Sequence, residues 1–291
     1  MHFAINTRPG DMMAEINIQG FPFGENWRNF LRILSDDHIR EAENALGAFL
    51  GTDDLHGKRF LDIGSGSGLH SLAAHRMGAA VHSFDYDPQS VACTAELRSR
   101  FFSKEREWTI QQGSILDDEY IRQLGTFDVC YAWGVLHHTG ALWQALYNAQ
   151  LPVCPGGLLF VAVYNDQGLL STFWKNIKRI YCSGRAGRAI MSTFFYPVFF
   201  LAGIVIDLLR LRNPAARYRE HKKYRGMSLV HDWRDWLGGY PFEPAQPQKI
   251  IDFYKNLGFE LVRFQPTGHG FGNNQFLFRR ISVSSYIVMG A

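Results

Sequence analysis

The chain has 291 residues, 46% hydrophobic and 20% charged, with a formal net charge of +3. That length and balance exclude a disordered or low-complexity chain and fit one large domain or two small ones. Cys93, Cys130, Cys154 and Cys182 are far apart and never form C-x-x-C, which argues against a disulfide framework or a cysteine zinc site and fits a reducing cytoplasm.

The first twenty residues hold no apolar core behind a basic start, so no secretory signal is expected. Charge is distributed unevenly. Between Asp166 and Arg225 there are twelve Lys/Arg against three Asp/Glu, a net of +9 that leaves −6 on the rest. Such a block can meet a membrane surface, an anionic substrate, or only water.

In chain order, residues 25–50 predict one or two amphipathic helices. Trp27, Phe30, Leu31 and Leu34 recur at helical spacing, and Ser35 before Asp36 and Asp37 is a candidate N-cap. From residue 58 the pattern changes. Short apolar runs at 59–63, 80–87, 108–113, 127–134 and 158–165 read as strands. Helices are predicted between them at 68–78, 88–102 and around 140–150, and this alternation predicts a parallel, doubly wound α/β sheet. About seventy-five residues without a clear strand follow. A helix, a glycine turn and two further strands (247–266 and 273–281) then suggest an antiparallel pair at the sheet edge.

The strongest chemical signal is LDIGSGSGLHS, residues 61–71. A strand running through three glycines into a helix lets backbone approach a ligand, with free N–H groups at the helix start. The spacing of Gly64, Gly66 and Gly68 is G-x-G-x-G, whereas the dinucleotide fingerprint would put its third glycine at Leu69. Asp62 lies two residues before the first glycine, where a carboxylate would repel a pyrophosphate and attract an ammonium or sulfonium. Asp85 closes the second strand, a position from which a carboxylate can accept from ribose hydroxyls.

With these motifs assembled, residues 58–165 resemble class I S-adenosylmethionine-dependent methyltransferases. The first motif, D/E-x-G-x-G-x-G, is matched by LDIGSGSG, and the ribose-binding acid by Asp85. GSILDD (113–118) falls on the adenine-side loop, FDVCYAWGVLHH (127–138) on the fourth strand and its loop, and PGGLLFVAV (155–163) on the lead into the fifth strand. The looser likeness is to the small-molecule branch of ubiquinone-biosynthesis O-methyltransferases.

The resemblance implies a Rossmann-like seven-stranded sheet, mostly parallel with an antiparallel last strand. A helical cap (1–55) would precede a core (56–165 and 245–281), and a helical insertion (166–244) would follow the fifth strand. It implies S-adenosyl-L-methionine as cofactor, S-adenosyl-L-homocysteine as product, and a cofactor site of Asp62, Gly64, Gly66, Gly68, Asp85, Ser114, Ile115 and Trp133. Many members carry Asp where this chain has Ser114; either the hydroxyl replaces it, or Asp117 or Asp118 reaches back.

On the acceptor side, His137 and His138 follow the fourth strand and are candidate bases; alternatively one of them caps the following helix or binds a backbone carbonyl, and as sequence neighbours they do not suggest a metal site. Tyr164, Asn165 and Asp166 follow the fifth strand. Tyr164 is also a catalytic candidate, and His231 with Asp232 is a candidate base and its partner; His231, Asp232 and Trp233 lie in a segment rich in aromatics that either lines the substrate or packs a lid, and His269 is a lesser candidate. The expected reaction is methylation of a small molecule, most simply at a hydroxyl. The alternatives are N-, S- or C-methylation, cofactor binding without turnover, and RNA methylation. No D/N/S-P-P-Y/F/W follows the fourth strand and no Pro-Cys nucleophile motif is found, so nucleic acid is not favoured as substrate.

The uncharged run AIMSTFFYPVFFLAGIVI (189–206) meets the lower length limit of a membrane span. Strands are predicted on both sides of it, so a span would split the sheet. Two expectations remain: a buried lid or homo-oligomer contact over the acceptor site, or a peripheral membrane element. Pro197 is expected to kink or divide any helix there.

Overall fold

The short apolar runs become strands of a single sheet. In a computed structural model, which describes residues 23–102, 107–216, 229–268 and 272–281, helices α1 (Gly24–Leu31) and α2 (Asp36–Leu50) precede β1 (Arg59–Ile63). The chain continues through α3 (Leu69–Arg76), β2 (Ala80–Asp85), α4 (Pro88–Phe101) and β3 (Trp108–Gln112). Next come α5 (Asp118–Gln123), β4 (Phe127–Trp133), a 3-10 turn (Leu136–His138), α6 (Leu142–Gln150) and β5 (Val153–Tyr164). Helices α7 (Leu169–Cys182), α8 (Arg185–Leu209) and α9 (Leu229–Gly238) follow. Then α10 (Pro247–Asn256) leads into β6 (Phe259–Gln265) and β7 (Asn273–Arg280).

The strand order is β3-β2-β1-β4-β5-β7-β6. The first five strands are parallel, and β7 runs antiparallel to both its neighbours. This is the expected sheet, with one adjustment: β7 slots between β5 and β6, so β6 alone forms that edge. Strand order reverses between β1 and β4, and the crevice beyond their carboxyl ends is where such sheets take ligands.

Period-two alternation builds a core on each face. Phe60 and Leu61 are adjacent and both 0% exposed, yet they enter different cores. Leu61, Ile63, Phe84, Cys130 and Val161 pack with α6 and α10. Phe60, Val81, Val129 and Phe160 pack with α2 and α3, and Phe49 stacks on Phe160 at 4.1 Å. Ser35 is the N-cap of α2, its hydroxyl accepting from the His38 N–H, and Gly51 ends the helix at φ +80°.

A third, smaller cluster joins the helices after β5 through Ile177, Tyr181, Phe195 and Leu237. Here the structure corrects the expectation of a buried lid at 189–206. Pro197 does not divide α8, and of its residues only Gly187, Phe195 and Asp207 are buried. One side of the helix packs inward and the other faces solvent.

Candidate functional site

Between β1 and α3 the backbone must reverse in five residues. Gly64, Gly66 and Gly68 take φ of +74°, +55° and +80°, values that cost any residue with a Cβ. The Gly64 and Ser65 N–H groups donate to the Phe84 carbonyl at 2.8 and 3.0 Å, tying the loop to the end of β2. There Asp85 accepts from the Gly66 N–H and the Asp87 N–H, both at 2.9 Å. Burial lifts its carboxyl to about 6, against the lowering effect of these N–H donors. The loop and the acid are therefore one unit.

Helix α1 closes this unit from above. The Gly24 N–H donates to Asp87 Oδ2 at 2.9 Å, and a Cβ on Gly66 would lie 2.9 Å from the Trp27 indole. A Cβ on Gly64 would meet Val135 at 2.5 Å. His70, in the first turn of α3, rests against Tyr131 and Trp133, with centroids 5.0 and 6.4 Å away. Burial lowers His70 to about 4, so it is neutral. Trp133 itself is 42% exposed at the end of β4.

Asp62 takes a different place from the one expected. It is 3% exposed, and its carboxylate accepts from the Ser71 hydroxyl. Ser71 Oγ lies 2.7 Å from Ser83 Oγ, which accepts from Trp108 Nε1 at 2.8 Å. Burial raises the Asp62 carboxyl to about 7. In this structure Asp62 clamps α3 behind the glycine loop.

The side chains expected on the adenine side are engaged as follows. Asp117 caps α5 by accepting from the Tyr120 N–H at 3.0 Å. Asp118 Oδ1 accepts from Asn148 Nδ2 at 2.7 Å and Gln144 Nε2 at 3.1 Å. Neither reaches back. Ser114 Oγ accepts from the Leu116 N–H at 3.1 Å, which leaves its own O–H available, and Ile115 is buried beneath.

Beyond β4 and β5, His137, His138 and Tyr164 come together. Centroids are 4.4 Å apart for the two histidines, 4.2 Å for His137 and Tyr164, and 5.7 Å for His138 and Tyr164. Phe23 covers His138 at 5.1 Å. His138 Nδ1 lies 2.7 Å from the Pro241 carbonyl. A carbonyl only accepts, so Nδ1 carries the proton and Nε2 is left with its lone pair. Burial holds His138 down at about 4, against that hydrogen bond. His137 is 0% exposed and driven well below the usual range by burial. Neither of its ring nitrogens reaches a partner with hydrogen-bond geometry, although the Ala162 carbonyl is near enough to favour the protonated ring.

The remaining candidates lie apart from this cluster. Asn165 Oδ1 accepts from Asn274 Nδ2 at 3.0 Å, which braces β5 to β7. Asp166 accepts from the Gly168 N–H and lines a separate cleft of about 290 Å³ with Lys175 and Glu243. Trp233 packs on Tyr196 and Phe199 of α8, at 5.7 and 5.9 Å. The side chains of His231 and Asp232, and all of His269, lie outside the described residues.

Residues 61–159, from the middle of β1 into β5, match the family profile described as Methyltransferase domain. Over those residues the chain carries a methyltransferase domain. A ubiquinone biosynthesis O-methyltransferase of Xanthomonas campestris pv. campestris is 32% identical over 111 residues, 38% of this chain and 45% of that protein. One from Rhizobium etli is 30% identical over 111 residues, 38% of this chain and 43% of its own. The chain thus spans less than half the length of the curated relatives it matches. Magnesium protoporphyrin IX methyltransferase from Synechocystis PCC 6803, solved with SAH, shares the fold at TM-score 0.52 and 14% identity, over 88% of this chain and 94% of that one. PKMT2 from Rickettsia typhi, in complex with AdoHcy, shares it at 0.54 and 15%, over 84% and 53%.

Beside the histidine cluster lies a buried charge that motif reading passed over. Lys178 of α7 is 1% exposed; its ammonium donates to the Trp236 carbonyl and lies 4.1 Å from the Trp236 ring and 5.0 Å from Phe242. Burial pulls it down to about 7. Its positive charge also disfavours protonation of His137 and His138. The signal was there: Ser171, Trp174, Lys178 and Tyr181 share one helix stripe, and a lysine on an otherwise inward stripe is out of place. His70 had a weaker signal, its position two residues after the last glycine.

Proposed function

We propose that this methyltransferase domain methylates an acidic hydroxyl, of the phenol type, on a small-molecule acceptor. The observation that carries the reading is His138, whose tautomer is fixed by the Pro241 carbonyl so that Nε2 is a lone-pair acceptor in an aromatic cage at the end of β4. S-adenosylmethionine, when bound, supplies a methyl group on a sulfonium, which an aligned nucleophile takes by displacement.

The residues present fit that cofactor. The glycine loop offers backbone without side chains, Asp85 is a carboxylate for ribose hydroxyls, and Ser114 retains an O–H for the adenine side. Asp62 serves by holding α3 in place. His138 Nε2 takes the acceptor's proton as its oxygen becomes the nucleophile. Burial and the Lys178 charge keep that imidazole neutral at about 4, so it is a weak base. A base this weak suits a hydroxyl that ionises near 10, as tyrosine does, far better than an aliphatic alcohol. The O-methyltransferase names of the curated relatives support the same acceptor atom.

Calorimetry with S-adenosylhomocysteine tests the cofactor half: binding is expected, weakened about tenfold or more in Asp85→Ala, and no heat in the wild type would overturn it. A panel of phenols and catechols tests the acceptor half. With a substrate found, His138→Gln is expected to lower kcat about a hundredfold or more while S-adenosylhomocysteine still binds. An unchanged kcat removes His138 as the base.

A further inference from the structure

We infer that the outward face of α8 docks on an anionic lipid bilayer, with the helix lying along the membrane surface. α8 has 25 residues and a mean hydropathy of 2.1 in its most apolar window, of which 6% is buried. By length and composition it is long enough to cross a membrane. The sheet forbids that as a single crossing. β5 precedes α8 and β7 follows it, yet the two pair from Leu158↔Arg279 to Tyr164↔Asn273.

The exposed apolar side chains form a stripe. Ile190, Phe194, Val198, Leu201, Val205 and Leu208 are 60, 62, 43, 59, 53 and 58% exposed, and their spacing of three or four places them on one face. At 1.5 Å per residue the stripe is roughly 27 Å long. The opposite face already has its partners: Phe195 and Phe199 pack on Trp174 at 5.5 and 6.2 Å, and Tyr196 packs on Trp233 at 5.7 Å. The stripe is therefore surplus to the chain's own packing, and contiguous patches of this kind mark docking surfaces.

Charge selects the occupant. Arg185 and Arg188 stand at the start of the helix, Arg210 and Arg212 at its end, and its one acid, Asp207, is 3% exposed. Two copies pairing along this stripe, parallel or antiparallel, would bring cationic ends against cationic ends. Anionic headgroups complement both ends at once, while the stripe enters the acyl boundary.

The test is flotation of the full chain with vesicles of phosphatidylcholine containing about 30% phosphatidylglycerol, and with phosphatidylcholine alone. Binding to the anionic vesicles is expected, weakened by salt through screening of the arginines. Phe194→Asp with Leu201→Asp should cut it about tenfold or more, and Arg210→Gln with Arg212→Gln should weaken it on anionic vesicles only. Both variants change exposed side chains, and retained S-adenosylhomocysteine binding and circular dichroism check their fold. A chain that stays in solution with anionic vesicles, or an aspartate variant that floats equally well, overturns the proposal. A dimer in light scattering that the aspartate variant abolishes, without flotation, assigns the stripe to a second copy instead. The membrane and methyl-transfer readings have separate readouts, so either can fail alone.

Discussion

Replacing Lys178 by Met tests whether the acceptor end is as dry as its geometry implies. The ammonium is buried on Trp236 and Phe242, and among the described groups only the Cys182 thiol pulls its basicity back up. Unfolded, this lysine holds its proton to about 10.5; folded, to about 7. Between those values unfolding takes up a proton, so stability climbs as pH rises through the window and is lowest below about 7. At about 1.4 kcal/mol per pH unit, and with titration at both ends included, the wild type should gain about 3 kcal/mol between pH 6 and pH 9.5 from this residue alone. Met fills similar volume without a charge. It also strands the Trp236 carbonyl, at a cost of about 1–3 kcal/mol, but that cost does not depend on pH. The measurement is urea unfolding of both proteins at the two pH values, followed by tryptophan fluorescence. The stability difference between them should move by about 3 kcal/mol in favour of the wild type at the higher pH. Parallel pH profiles, agreeing within about 0.5 kcal/mol, would mean that Lys178 titrates as in water, and the dry acceptor end would have to be abandoned.

The Asp85 carboxyl, raised to about 6, must be ionised to accept two ribose hydroxyls. Affinity for S-adenosylhomocysteine should therefore rise between about pH 5 and 7 in the wild type and stay flat in Asp85→Asn; equal slopes in calorimetry would remove Asp85 from the cofactor site. Gly66→Ala puts a Cβ 2.9 Å from the Trp27 indole, at a φ of +55°. The left-handed backbone alone costs about 1–2 kcal/mol, so the melting temperature should fall and S-adenosylhomocysteine affinity should drop about tenfold. An alanine variant that melts and binds like the wild type would show that the loop relaxes freely.

What the sequence made legible was what local chemistry dictates. Positive φ at three alternate positions requires glycine, so the loop could be read from Gly64, Gly66 and Gly68 alone. Asp85 could be read because a strand end fixes where its last side chain points. Asp62 was legible as an acid and not as a clamp, because its partner Ser71 lies beyond the glycine loop, in the first turn of the next helix, and is engaged in turn by Ser83. Asp117 and Asp118 looked free to reach adenine until the start of α5 and Asn148 claimed them. The run at 189–206 shows the limit most clearly. Hydropathy is identical for a buried lid and for a membrane face, and only packing against Trp174 and Trp233 divides α8 into an inner side and a bare one.

The same packing connects that bare helix to the glycine loop through short steps, and magnitudes decide which step holds. Phe199 of α8 meets Trp233 of α9 at 5.9 Å, and Arg234, next along α9, reaches Glu25 of α1 at 3.3 Å. That ion pair is substantially exposed, and such pairs contribute about 0–1 kcal/mol. It cannot keep α1 closed by itself. Stronger ties hold α1 elsewhere: Leu31 is 1% exposed in the core, the Leu31 carbonyl accepts from Arg100 at 2.6 Å, and the Gly24 N–H is bound to Asp87. Trp27 is half-buried over Gly66, between these anchors. Uncovering the glycine loop therefore requires either the Gly24–Asp87 bond to break or Leu31 to leave the core. Among the described residues a second route runs through packed rings, from Phe195 of α8 by Trp174, Trp236, Tyr164 and His138 to Phe23, next to Gly24. If α8 docks on lipid as proposed, any effect on S-adenosylhomocysteine affinity should pass through that ring path: vesicles should shift the affinity of the wild type, and Trp174→Ala should abolish the shift, whereas Arg234→Gln should leave it within about twofold.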